Sequence, residues 1–176
     1  MKKGFTLMEL LIVMAILGIL ITVGLASYKS VQAKSRDSRR KNDLRQISSA
    51  LEAYYNDKSK YPNDDAAGAI VGCGTDDAQA CTCGSAMLDK NSVMYMPELP
   101  CDPALGRKYF YDVGGSNGSY QLYARIENTE DNDVPHSGTT PLSFPTTNCS
   151  SGGGALNCNY GVASTNTTPE NGRTPQ

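Results

Sequence analysis

The chain has 176 residues and a formal net charge of −2, which suits one domain, or one domain with appendages, and leaves no room for several. Hydrophobic residues make up 39% of it, but many crowd into the first 26 positions, so the core left for the remainder is modest. Lys29 to Arg45 holds seven basic and two acidic residues, net +5, whereas the residues beyond Arg45 number seven basic and fifteen acidic, net −8. A basic neck before an acidic head reads either as a surface for a partner of opposite charge or as a solvated helix face.

The first predicted element is apolar. Lys2 and Lys3 precede it, Glu9 stands at its edge, and the seventeen residues from Leu10 to Ala26 carry no charge. A secretory leader has a shorter apolar run and a small-residue cleavage site, which Ala26-Ser-Tyr-Lys does not supply. Phe5 to Ala26 would rise about 33 Å as a helix, enough to cross a bilayer core. Two rules then disagree on orientation. Six basic residues from Lys29 to Lys41 would keep the C-terminal part in the cytoplasm. Six cysteines, Cys73, Cys81, Cys83, Cys101, Cys149 and Cys158, all follow the span and point to disulfides outside the cytosol. The cysteines carry more weight. They allow 15 pairings, and Cys81-Thr-Cys83 keeps a metal site open as the competitor, although zinc sites usually space paired cysteines more widely.

The run GFTLMELLIVMAILGIL, behind its short basic leader, resembles the class III signal of type IV pilins and type II secretion pseudopilins. The resemblance extends from Met1 to about Pro62. It implies a prepilin peptidase cut between Gly4 and Phe5, loss of the leader 1–4, and N-methylation of Phe5. It also implies that Glu9 is an assembly residue whose carboxylate meets the Phe5 amine of a neighbouring subunit and sets axial register. Helical spacing places Glu9 on the same face as the amine of its own chain and near the positive end of the helix. The partners implied are further copies in a helical filament, the prepilin peptidase and an inner-membrane pilus or secretion machinery. The location implied is a single-pass inner-membrane state with the head outside the cytoplasm, then a periplasmic or extracellular filament. A low-copy surface binding or adhesion module docked at a filament tip is the alternative.

No proline interrupts the chain before Pro62, so one helix is expected over 5–57, with 5–26 as membrane span and filament core. Leu44, Ile47, Leu51, Tyr54 and Tyr55 form an apolar stripe at helical spacing, with Lys34, Arg36, Arg39, Arg40 and Lys41 largely elsewhere. The helix should stop near Asn56–Ser59, because the residue before Pro62 is pushed out of helical angles. The neck's basic residues are interleaved with Asp37 and Asp43 and lack an aromatic stacking platform, which argues against nucleic acid.

The head is expected over 58–134. Its clearest β signal is KYFYDV-GGSNG-SYQLYARIE, two alternating runs around a glycine-rich turn, hence a hairpin. Tyr109, Tyr111 and Val113 share one face of the first run, and Tyr120, Leu122, Ala124 and Ile126 one face of the second. A helix laid on a small antiparallel sheet is an α+β fold, the outline that the resemblance implies as pilin-like. Glu127-Asn-Thr-Glu-Asp-Asn-Asp133 offers four carboxylates and two amides in seven residues. The run lacks EF-hand spacing and reads either as a solvated acidic loop or as a calcium site. The resemblance to major pseudopilins makes calcium the one candidate cofactor, with Asp131 and Asp133 as the best ligands and Glu127 beside them, and leaves the solvated loop open. The region 135–176 is rich in Gly, Ser, Thr and Asn, and order is expected to fade after Gly161. Cys149 and Cys158 bracket SSGGGALN, where a disulfide would staple a surface loop, as the resemblance to type IV pilins implies. Nothing points to an enzyme: the single histidine, His136, has no companion nucleophile, and no phosphate-binding loop or HExxH motif appears.

Overall fold

A computed structural model describes residues 4–74, 76–169 and 174–175, with 23–27 and 174–175 described for their backbone alone. The leader residues 1–3 lie outside it. One helix, α1, runs unbroken from Leu7 to Lys58, 52 residues and about 78 Å long at 1.5 Å per residue. Its ends follow from local chemistry. Thr6 is the N-cap and closes a capping box with Glu9. Ser59 ends the helix in the left-handed conformation (φ 55°), donating its N–H to Tyr55 O at 2.7 Å.

Among the described residues eleven short strands follow: β1 (Asn63–Asp64), β2 (Ile70–Cys73), β3 (Gln79–Ala80), β4 (Met87–Leu88), β5 (Met94–Met96), β6 (Phe110–Val113), β7 (Tyr120–Ala124), β8 (His136–Ser137), β9 (Thr140–Ser143), β10 (Tyr160–Ala163) and β11 (Thr174–Pro175). β6 and β7 form the expected hairpin, with Tyr111 opposite Leu122. β10 pairs antiparallel with the far edge of β7, giving the sheet order β10-β7-β6. All pairings are antiparallel, and the fold is α+β.

The core lies between the lower half of α1 and this sheet. Leu44, Ile47, Ala50, Leu51 and Tyr54 meet Tyr111, Tyr120, Leu122 and Ala124, with Met87, Met96 and Leu99 closing the side. Tyr55 departs from the expected stripe. It remains exposed and packs its ring on Tyr61, with centroids 4.6 Å apart. The opposite face of the sheet is also covered. Tyr123 and Phe144 pack with Cys149 and Cys158 into a second buried cluster. The region expected to pack poorly thus contributes a strand and a small core of its own, and Gly161 to Ala163 lie within that strand.

The upper half of α1 has no such cover. Phe5, Leu7, Met8, Leu10, Leu11, Ile12, Val13, Ile16, Leu17 and Ile21 are all exposed. Among the described residues no helix is long and apolar enough to cross a membrane. The side chains of Val23 to Ala26, which belong to the expected span over 5–26, lie outside the described residues.

Candidate functional site

Two parts of α1 carry chemistry that packing alone does not require. The first is the N-terminal end. Gly4 and Phe5 are exposed and precede the helix, so the junction between them is open to an approaching enzyme. Thr6 N–H donates to Glu9 Oε2 at 3.1 Å, Thr6 Oγ1 donates to the same oxygen at 3.0 Å, and Glu9 N–H donates to Thr6 Oγ1 at 3.2 Å. The carboxylate is therefore folded back over the first turn. There it satisfies helix N–H groups that would otherwise be unpaired in an apolar setting.

The second part is the neck, where α1 enters the head. Arg40 is completely buried. Its guanidinium grips Asp102 with two parallel bonds of 2.8 Å, from Nε to Oδ2 and from Nη2 to Oδ1. Its Nη1 reaches Asp37 Oδ1 at 2.7 Å and Glu127 Oε1 at 2.8 Å. Arg36 donates to Glu127 through Nε (2.9 Å) and Nη2 (2.5 Å), and Arg107 Nη1 lies 3.4 Å from Glu127 Oε1. Buried Asp37 accepts the backbone N–H of Glu127 and of Asn128, both at 2.9 Å. Three guanidiniums thus face three carboxylates, with Arg40, Asp37 and Asp102 buried and Arg36, Arg107 and Glu127 partly exposed at the rim. The hydrogen bonds from Arg36 hold the Glu127 carboxyl down at about 2, outweighing desolvation. Burial disfavours the charged form of Arg40, but Asp102 more than compensates and raises its pKa above the ordinary value. Such a junction fixes orientation strictly, because a guanidinium fork accepts a carboxylate in few geometries.

On the next residue, Lys41, Nζ lies 2.7 Å from both Asp131 Oδ1 and Asp133 Oδ2. The three carboxylates that suggested calcium are therefore divided between two sets of organic cations: Glu127 to arginines, Asp131 and Asp133 to a lysine. Among the described residues no group of three or more His, Cys, Asp or Glu is placed to hold a metal ion. As arranged, this donor set does not fit calcium, which takes six to eight oxygen ligands at 2.3–2.6 Å.

All six cysteines are paired: Cys73–Cys81, Cys83–Cys101 and Cys149–Cys158. Cys81 and Cys83 therefore turn to different partners and not to a shared metal ion. The first two bridges frame the loops of 58–103. The third closes the cluster on the outer face of the sheet.

Sequence reasoning missed Asp37, Arg40, Lys41 and Asp102. A signal was present: Asp37, Arg40, Leu44, Ile47, Leu51 and Tyr54 repeat at intervals of three and four, so the stripe does not end at Leu44 but turns ionic above it.

The model of the type II secretion system protein G family matches residues 28–135. The chain belongs to this family. The prokaryotic N-terminal methylation motif matches residues 1–25, upstream of the protein G region. The type II secretion system core protein G of Pseudomonas aeruginosa is 31% identical over 124 residues, which are 70% of this chain and 82% of that protein. The type IV major pilin protein PilA of Myxococcus xanthus is 25% identical over 142 residues, 81% of this chain and 49% of that protein. The fimbrial protein EcpC of Eikenella corrodens is 43% identical over 70 residues, 40% of this chain and 46% of that protein. The chain thus spans about half the length of these two pilins. No solved structure matches. The protein G match ends at residue 135. It takes in the lower helix, the neck junction and the β6–β7 hairpin, while β10 and the Cys149–Cys158 bridge lie beyond it.

Proposed function

We propose that the chain is a structural subunit of a type IV pilus-like or type II secretion pseudopilus-like filament, polymerising through the apolar half of α1. The single observation that carries this reading is the change of environment along one helix. Below the neck its apolar residues are buried by the head. Above it the apolar residues from Phe5 to Ile21 have no cover from their own chain, which marks a surface meant for lipid or for copies of itself. The methylation motif and the protein G match support it. In this reading a prepilin peptidase cuts between Gly4 and Phe5. The head then stands outside the cytoplasm on a single-pass anchor, and an inner-membrane machinery draws the subunits into the filament. The role is structural and not catalytic. The alternative of a low-copy tip module is not favoured, since the similar proteins are named as a major pilin and a core protein.

Glu9 supplies the test. The Glu9 side chain is now occupied by Thr6, and assembly would exchange this partner for the free amine of a neighbour's Phe5. Glu9→Leu removes the only charge of the apolar half, so membrane insertion should be at least as good. Assembly should fail, because each incoming amine would be buried unpaired at a cost of about 3–5 kcal/mol. The readout is the ratio of sheared filament to membrane-bound subunit, with the variant as the only copy present. Assembly at the unmutated level would reject the role of Glu9.

A further inference from the structure

The loop that ends the β6–β7 hairpin is built as two overlapping turns. Asp131 N–H donates to Asn128 O at 3.1 Å, and Val134 N–H to Asp131 O at 3.0 Å. Asp133 N–H donates to Asp131 Oδ1 at 3.0 Å, which turns both carboxylates in one direction. Such a turn repels itself unless a cation sits between the two acids. That cation comes from α1. The Lys41 ammonium bonds both carboxylates at 2.7 Å and lies 5.6 Å from the centroid of the Tyr160 ring in β10. The Lys41 side chain is only 14% exposed, so the ammonium has been taken largely out of water and its charge is used locally. Three elements distant in sequence, α1, the loop and β10, therefore meet at one nitrogen atom.

We propose that Lys41 is the resident cation of this loop: an ammonium built into the helix takes the place that a divalent ion would occupy between Asp131 and Asp133, and it fastens the loop to the neck without metal. Two further observations fit. Glu127, the remaining candidate ligand, is committed to Arg36 and Arg40. Asp37 already anchors the start of the loop through two backbone bonds, so no metal is required to fix its entry. An ion set between Asp131 Oδ1 and Asp133 Oδ2 would have to displace the ammonium. This inference concerns the head and does not depend on how the chain assembles.

The test follows thermal unfolding of the full-length chain in detergent micelles, in chelator and in millimolar calcium at matched ionic strength. The unmutated chain should melt at the same temperature in both. Lys41→Met keeps the apolar stem but removes the charge, and should melt several degrees lower in chelator. It should regain part of that loss in calcium, since an ion bound only by the folded state stabilises it by mass action. Lys41→Arg should behave like the unmutated chain and be indifferent to calcium. Where Lys41→Met yields no folded protein, Asp133→Asn, at a more exposed position, should lower the melting temperature equally in both buffers. A rise of the unmutated melting temperature in calcium would overturn the proposal. So would a Lys41→Met variant as stable as the parent, or one that loses stability without regaining any in calcium.

Discussion

At the scale of single residues, the neck depends most on Arg40. Its guanidinium faces Asp37 and Asp102, both of them buried, together with Glu127. Arg40→Met would leave buried Asp37 and Asp102 without their cation, and breaking one side of a buried ionic network costs about 3–5 kcal/mol. Arg40→Lys should be intermediate, because one ammonium cannot reproduce the double bond to Asp102. Chemical denaturation of the two variants would check this order, and equal stability of Met and Arg would refute it. The same cluster sets a pH dependence. Glu127 is held at about 2 against an ordinary value of 4.5. A carboxyl whose pKa is depressed by folding adds stability that is complete above its unfolded pKa and is lost as pH falls through the folded one. That stability should therefore be full at neutral pH and decline between about pH 4.5 and pH 2, by up to roughly 3 kcal/mol. Glu127→Gln should flatten this acid limb, as read by the unfolding midpoint across that range.

At the scale of elements, α1 was the most legible part of the chain. Its apolar period and the absence of proline before Pro62 define it with almost no tertiary information, whereas the Thr6–Glu9 capping box that starts it at Leu7 was not read. The β6–β7 hairpin was equally readable from Tyr and Leu alternation around a glycine turn. What could not be read were the consequences of long-range pairing. Arg40 reads as a surface charge until Asp102, 62 positions away, is brought beside it. Tyr123 alternates out of the main core and looks solvent-facing until Phe144 covers it, with ring centroids 4.7 Å apart. β10 was hidden because Tyr160-Gly-Val-Ala is short and sits among Gly, Ser and Asn. Its strand character comes from the open edge of β7 and the neighbouring Cys149–Cys158 bridge. That bridge closes a short loop, and its loss should cost roughly 2–3 kcal/mol by loop entropy. Replacing Cys149 and Cys158 by alanine should therefore loosen the outer cluster while leaving α1 and β6–β7 intact. Hydrogen exchange would show this as faster exchange in β10 and 144–158 alone. Uniform loosening of the whole head would contradict it.

At the scale of the whole molecule, a single helix has two environments. Its lower half is a conventional buried helix, held by an apolar stripe, an ionic junction at the neck and a lysine clamp on the acidic loop. Its upper half leaves its apolar side chains to be buried by something other than its own head. The junction is what makes this arrangement useful to an assembly. On the proposed reading, a head attached by a flexible linker would transmit no orientation, whereas one locked to α1 by bidentate arginine contacts would carry a register set at Glu9 to the outer surface. On the proposed reading the working chain begins at Phe5, the residue after Gly4 in the region matched by the methylation motif. The most direct measurement is the intact mass and N-terminal sequence of the chain recovered from sheared filaments. The expected result is a chain that starts at Phe5 and carries a methyl group on its amine. A chain in assembled material that starts at Met1, or one cut after Ala26, would contradict a filament built on this helix.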